Sequence, residues 1–375
     1  MLTSSFQTSP LQFSFWIQVY QVPICLNKRS RFISNMNVVC SSCKGHIRRV
    51  ARRERTMLRG MNRAGVASVH MAQSANRYTP TRLIARLSSS LVSWEIADDT
   101  DEKVGIITLK SPKTYNALTV EMGREFESLV SQLETDLVDP TSPNGNIGAI
   151  VLCGEGNKAF SAGGDLEWLH SLSNNTVHAN VDAMLRFYNS FLCFRQKLPV
   201  PFIAALHGPA VGAGACLSLA CDLRVGASGN IPLLGFPFCR LGIPSGMGAL
   251  HLLQNCGGLE SSKATEILLL GQTLTGEEAL KCGLLNHHLV PSEAVKDEAK
   301  ALAYKIVSNS HPVAVRAMVR STRLAADHGS GGSLADCLYR DAHTQAMCYN
   351  RKDWGEGLDA AASKRDPEFD GYHSK

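Results

Sequence analysis

The chain has 375 residues, with 38 Lys+Arg against 33 Asp+Glu and a formal charge of +5. An apolar fraction of 44% with 19% charged residues excludes a disordered polymer, and the length allows one large or two modest domains with a sizeable core. No uncharged apolar run reaches the roughly 18 residues of a membrane-spanning helix, so no transmembrane segment is expected.

The charge is unevenly spread. Residues 1–90 carry 14 Lys+Arg and a single acid, Glu54, a balance of +13, whereas the remainder carries 24 basic and 32 acidic residues, a balance of −8. No nucleic-acid partner is therefore expected of the acidic body. The leader is rich in Arg and Ser and nearly free of acid, which is the composition of a mitochondrial transit peptide and implies a matrix protein. Residues 57–90 fit best, with Arg59, Arg63, Arg77, Arg82 and Arg86 and no acid. A disordered basic arm for RNA or lipid headgroups is the alternative, and Met57 or Met61 is a candidate start. Twelve cysteines, nine of them scattered through the body, fit a reducing compartment better than a disulfide scaffold. Cys40 and Cys43 form a C-x-x-C pair, but in the Arg-rich leader and without a βαβ context.

In chain order, the acidic stretch 98–102 reads as a hairpin turn, and 104–109 is a β-branched run typical of a buried strand. A helix is predicted from Val120 to about Leu137, with Met122, Phe126, Leu129, Val130 and Leu133 on one face. The segment 139–146, with two Pro and a Gly, reads as an exposed connection. Strands follow at 147–152, 201–206 and 223–227, with helices over 181–196 and around Leu217 and Leu219. Beyond residue 260 the pattern is almost wholly helical: 261–270, 276–282, 291–309, 312–326, 333–349 and 355–364. Alternating strands and helices predict an α/β fold. The organisation expected is a leader (1–90), a βα core (91–260) and a helical C-terminal region (261–375).

Several motif readings fail. Gly212-x-Gly214 lacks the third glycine of a dinucleotide fingerprint, Leu217 standing there. There is no Walker-type loop, the residues around Ser245 lack the spacing of a nucleophile elbow, and no His/Cys/carboxylate cluster has zinc-ligand spacing, so no metal site is expected. What remains is two glycine-rich turns, Ser161–Asp165 and Gly208–Gly214, each shortly after a predicted buried strand. Small residues there let backbone N–H groups face outward, and two converging N–H groups make an oxyanion hole for a carbonyl or thioester oxygen. Tight turns serving packing alone are the alternative reading.

At these turns the sequence becomes similar to a known family. Ser111-Pro112-Lys113 with Asn116-Ala117-Leu118, the run Ala159–Leu166, the run Ala205–Gly214, Ala220–Arg224, Phe236–Gly242, Thr275–Leu280 and the tail around Trp354, Glu356, Gly357, Pro367 and Phe369 together resemble the enoyl-CoA hydratase/isomerase (crotonase) family. The resemblance implies a spiral core of ββα units, a helical C-terminal region that builds a homotrimer or hexamer, and an acyl-CoA substrate, with coenzyme A part of that substrate and no separate cofactor or metal. It implies that the backbone N–H groups of Gly164 and Ala213 hold the thioester oxygen. It also places Ser161, Ala162, Gly163 and Asp165 along the coenzyme A path, with Lys113 and Lys364 as candidates for its phosphates.

The family pattern breaks where protons are moved. The positions at which hydratases and isomerases of the family carry carboxylates hold Cys216, Phe238 and Ser245, the last following Pro244. Hydration and double-bond shift both need a proton carrier, which an oxyanion hole does not supply. Three repairs are open: an acid from elsewhere, such as Asp165 or Glu167; Cys216 as a thiolate favoured by a helix N-terminus; or a reaction that needs mainly enolate stabilisation, such as decarboxylation of a malonyl-type thioester. His207 stands where the family has Asn or His and reads as structural. The expectation is an acyl-CoA-processing enzyme with an atypical site, the alternative being a non-catalytic acyl-CoA-binding pseudoenzyme or scaffold.

Overall fold

A computed structural model describes residues 90–97, 103–139, 141–327, 334–349 and 352–369. The leader, and the acidic turn expected at 98–102, lie outside the described residues.

Strands β1 (Val92–Ile96) and β2 (Lys103–Leu109) pair antiparallel, with Val92 opposite Leu109 and the Ala97 N–H donating to Val104 O at 2.8 Å. Strands β3 (Ile147–Gly154), β4 (Phe202–Leu206) and β6 (Leu223–Gly226) then add in parallel, giving a five-stranded sheet in the order β1-β2-β3-β4-β6. Strand β4 is buried throughout and β3 nearly so, as their unbroken apolar runs predict for strands covered on both faces. A second sheet joins β5 (Ala210–Val211), β7 (Pro232–Gly235) and β8 (Thr273–Thr275). These three are short, and the sequence reading missed all of them.

Helix α1 (Val120–Asp136) crosses between β2 and β3. Thr119 caps it by accepting from the Met122 N–H at 3.1 Å, and Met122, Phe126, Val130 and Leu133 form its buried face. Helix α3 (Val177–Leu192) starts four residues earlier than predicted because Thr176 caps it, accepting from the Ala179 N–H. The intervening α2 (Leu166–Ser171) was not foreseen. Phe126 meets Phe191 at 5.8 Å and Phe194 at 6.3 Å, and Phe187 meets Phe191 at 5.2 Å. Aromatic contacts of this kind add about 0.5–1.5 kcal/mol each beyond burial. They also fix the rotation of α3 about its own axis.

Residue 260 is not a seam. After α5 (Ser261–Leu270) the chain supplies β8, which pairs antiparallel with β7, and α6 (Gly276–Lys281) follows with a full Thr275–Glu278 capping box. Helix α7 (Val295–Asn309) buries Val295, Ala299 and Ala303 and packs on the large sheet. From α8 (Pro312–Asp327), Arg323 reaches back to Asp222, with Nε to Oδ1 at 2.8 Å and Nη2 to Oδ2 at 2.5 Å, and it also donates to the carbonyls of Leu198 (2.7 Å) and Val200 (3.0 Å). Helices α9 (Leu334–Tyr349) and α10 (Lys352–Ser363) complete the tail, where His311 meets Asp353 at 2.6 Å. The helical region is thus interleaved with the core rather than appended to it.

Candidate active site

The two glycine-rich turns lie against each other. The Ser161 N–H donates to Pro209 O (3.2 Å) and the Val211 N–H to Ser161 O (2.9 Å). A Cβ on Gly163 would stand 2.3 Å from Val211 O and 3.3 Å from the Ala213 nitrogen, and φ at Gly163 is +92°, so only glycine fits. A Cβ on Gly214 would meet Ser161 O at 2.7 Å. Glycine at both places is what brings the backbones this close.

Within the first turn almost every amide is committed. The Leu118 N–H donates to Gly163 O (2.7 Å), the Asp165 N–H to Leu118 O (3.0 Å), the Ala162 N–H to Tyr115 O (2.8 Å) and the Gly163 N–H to Ser161 Oγ (3.2 Å). The parallel bridge Leu118–Gly164 uses the groups on either side of Gly164 and leaves its own N–H unpaired among the described residues. In the second turn the Gly212 N–H goes to Gly235 O (2.8 Å), while Ala213 opens helix α4 (Ala213–Ala220), where the first amides have no intrahelical acceptor. The two N–H groups singled out by the resemblance are therefore unpaired, partly exposed and in adjoining turns. Such a pair binds a developing oxyanion.

The remaining predicted ligand residues divide. Ala162 is exposed beside this pair. Ser161 is buried, its hydroxyl donating to Asn116 O at 2.7 Å, and it shapes the turn. Asp165 caps α2 by accepting from the Trp168 N–H at 2.8 Å. Lys113 is exposed at a cavity of about 280 Å³ that it shares with Tyr115, Glu155 and Lys158. That hollow contains neither Gly164 nor Ala213. Lys364 lies just past the end of α10, far along the chain from both turns.

The three carboxylate positions come together around the first turn of α4. The Phe238 ring is buried, and its Cε1 lies 3.9 Å from where a Gly212 Cβ would stand. Cys216 is fully buried, with Sγ donating to Gly246 O at 3.7 Å, next to the exposed Ser245. Burial pushes the Cys216 thiol up to about 12. This corrects the thiolate expectation: at neutral pH desolvation outweighs the helix N-terminus, and Cys216 stays a neutral thiol. His207 is buried, burial lowers its pKa, and its Nε2 has no hydrogen-bond partner among the described residues, which favours the neutral ring.

One polar side chain near these positions was missed. Tyr188 on α3 is half-buried, and its Oη lies 2.6 Å from where a Cβ on Gly246 would stand. Burial raises its pKa, against a lowering contribution from hydrogen bonding with the Met247 backbone, and Cys216 raises it further. A lone tyrosine in an amphipathic helix gives no signal in the sequence, because what defines it is a turn nearly sixty residues later.

Residues able to hold a metal lie elsewhere. Among the described residues His287, His288 and Glu298 form such a group, with their donor atoms within 4.8 Å of one another.

The sequence profile of the enoyl-CoA hydratase/isomerase family matches residues 99–372. The Bacillus subtilis protein YngF, named for enoyl-CoA hydratase/isomerase activity, is 33% identical over 271 residues, covering 72% of this chain and 96% of its own. A short-chain-enoyl-CoA hydratase of Clostridium acetobutylicum is 29% identical over 273 residues, covering 73% and 95%. Among solved structures, an enoyl-CoA hydratase from Bacillus anthracis superposes with a TM-score of 0.63 at 27% identity, over 76% of this chain and all of that one. The chain belongs to the enoyl-CoA hydratase/isomerase family, and its fold is that of the crotonases.

Proposed function

We propose that the protein is an acyl-CoA-processing enzyme that stabilises a thioester enolate between the backbone N–H groups of Gly164 and Ala213. The observation that carries this reading is the pair of unpaired amides, Gly164 and Ala213, in two adjoining turns where the flanking Gly163, Asp165 and Gly212 amides are bonded. Removing one such donor from an oxyanion hole typically costs about 10²–10³ in kcat.

The side chains around the hole favour particular chemistry. A neutral thiol, a phenyl ring and an exposed hydroxyl stand where carboxylates are expected, and the Tyr188 hydroxyl lies beside Gly246, the residue after Ser245, and interacts electrostatically with Cys216. A phenol with a raised pKa gives up a proton to a carbanion more readily than it abstracts one from carbon. The arrangement therefore favours substrates whose enolate forms without a base. In a malonyl-type thioester the C–C bond to the carboxylate breaks, carbon dioxide leaves, and the electron pair becomes the enolate. The Tyr188 O–H then protonates the α-carbon, and water reprotonates the phenolate. Coenzyme A enters as part of the substrate, with Lys113 and Lys364 available to its phosphates.

Composition of the leader supports import into the mitochondrial matrix. Exposed apolar side chains on the tail helices, including Met318, Leu338, Tyr339 and Leu358, support a homotrimer or hexamer built through that region.

The loss of all three carboxylates also fits a second reading, an acyl-CoA-binding pseudoenzyme. Binding and turnover measured together on 2-enoyl-, 3-enoyl- and malonyl-type CoA thioesters separate the two. Turnover of a malonyl-type thioester is the expected result; micromolar or tighter binding with no turnover on any of the three overturns the enzyme reading.

A further inference from the structure

A second group of chemically able side chains lies outside the acyl-CoA site, where the segment after α6 meets the first turn of α7. His287 Nδ1 stands 3.1 Å from His288 Nδ1 and 3.3 Å from Glu298 Oε1, and His288 Nε2 stands 3.8 Å from the same oxygen. An acid in a first helical turn is favoured by the helix dipole whatever faces it. Glu298 is distinguished by the two imidazole rings converging on one of its oxygens.

The frame that holds these rings is built. The Asn286 N–H donates to Arg224 O (3.1 Å), and Asn286 Oδ1 accepts the Arg224 N–H (3.0 Å). On the far side the Ser228 N–H donates to Val290 O (2.7 Å), and Val290 bridges Ala227. The segment is thus pinned to β6 and its continuation on both sides, with His287 and His288 between the pins. Glu298 is carried by α7, whose opposite face is buried on the sheet at Val295, Ala299 and Ala303. Three donors on two anchored elements lose little freedom when they share a ligand.

The donor separations suit a metal. Bonds of about 2.0–2.1 Å to imidazole nitrogen and carboxylate oxygen place tetrahedral ligands about 3.3–3.4 Å apart. The 3.3 Å between His287 Nδ1 and Glu298 Oε1 lies near that value, and with one ring nitrogen of His288 the three donors lie within 4.8 Å of one another, a spread that a turn of the 67% exposed His288 side chain can close. Two imidazoles and one carboxylate suit zinc, copper or nickel rather than magnesium or calcium. Glu298 makes its ion-pair contacts, among the described residues, with these two histidines, so a divalent ion bound between them would be matched by its carboxylate.

We propose that His287, His288 and Glu298 form a three-ligand binding site for a divalent transition metal, zinc foremost, with its remaining coordination position open to solvent. The site joins the 286–290 segment to α7 and does not depend on the acyl-CoA reading.

The test uses the full-length protein, freed of metal and kept reduced, with Cys40→Ser/Cys43→Ser introduced so that the leader pair does not contribute. Zinc chloride is titrated by calorimetry, and cobalt(II) is added separately, because its visible bands report four-coordinate nitrogen and oxygen ligation while thiolate ligation adds an ultraviolet charge-transfer band. One zinc per chain is expected, with cobalt bands free of the thiolate signature and a melting temperature that rises with zinc. Loss of even an outer-shell partner costs about 10–100-fold in metal affinity, so His288→Ala and Glu298→Gln should each weaken binding at least tenfold. His287→Ala/His288→Ala should remove the site. All three side chains are partly exposed, and far-UV circular dichroism checks that the variants fold. Failure of the parent to bind zinc, a thiolate spectrum, or wild-type stoichiometry and affinity in the folded double variant would each overturn the proposal.

Discussion

The proposed reaction centre has a backbone half and a side-chain half, and the two are encoded differently. The backbone half needs Gly163 at φ +92° against Val211 O, Gly214 against Ser161 O, and a helix that begins at Ala213. Several residues in two turns must agree before both amides are left unpaired, and the same residues hold the fold together. The side-chain half is held by one residue per position, so Cys216, Phe238 and Ser245 can replace carboxylates while the helix and turns around them stay intact. Binding and charge stabilisation therefore resist substitution far more than proton transfer does. In the proposed mechanism Tyr188, arriving from a different helix, supplies the second function without rebuilding the first.

The sharpest test of this contrast is Ala213→Pro. It deletes one amide donor at the first position of α4, where proline is tolerated because that N–H has no intrahelical acceptor. With a malonyl-type thioester, kcat should fall about 10²–10³-fold while the far-UV spectrum is retained. Gly163→Ala should go further in another direction, lowering the melting temperature as well as turnover, since its Cβ would stand 2.3 Å from Val211 O. A variant with unchanged melting and turnover would break the account of the backbone half.

Tyr188→Phe addresses the other half. It keeps the ring packing and removes the hydroxyl, so kcat should drop about 10²-fold with little change in KM. An unchanged kcat would mean that solvent protonates the enolate. Smallest of all is Cys216→Ala, expected to change kcat less than about twofold, because a buried thiol pushed up to about 12 does not form, at pH 7, the thiolate that would act as base or nucleophile. Iodoacetamide at pH 8 followed by peptide mass spectrometry should label exposed Cys239 and spare Cys216. The sign follows from burial. A folded pKa of about 12, above the unfolded value of about 8.5, means the neutral thiol favours the folded state below pH 8.5, and that this contribution fades as pH rises toward 12.

Much of the fold was legible because its main strands are long apolar runs. Residues 104–109 and 147–152 correspond to β2 and β3, and the apolar face read for α1 is the one it buries. Strands β5, β7 and β8 were not legible: at two to four residues they exist only through pairing with distant segments. The start of α3 was missed because its first turn, Val-His-Ala-Asn, is polar on average and the signal is the Thr176 cap. The turns at 161–165 and 208–214 were legible as turns, but which amides stay unpaired depends on contacts between them. Tyr188 and the His287, His288 and Glu298 group were invisible for the same reason, since each is defined by residues brought together only in three dimensions.

The Arg323–Asp222 contact bears on how the molecule is made. Asp222 accepts the Phe202 N–H at 2.8 Å and is otherwise answered by a guanidinium 101 positions later, which also serves the carbonyls of Leu198 and Val200. While the chain is being synthesised, that carboxylate and those carbonyls wait for a helix that does not yet exist, and water serves them until it arrives. A nascent chain ending near residue 260 therefore carries a sheet with its closing residue absent. Completion of the fold is deferred to the last stretch of translation, and the unfinished chain is the form most in need of a chaperone.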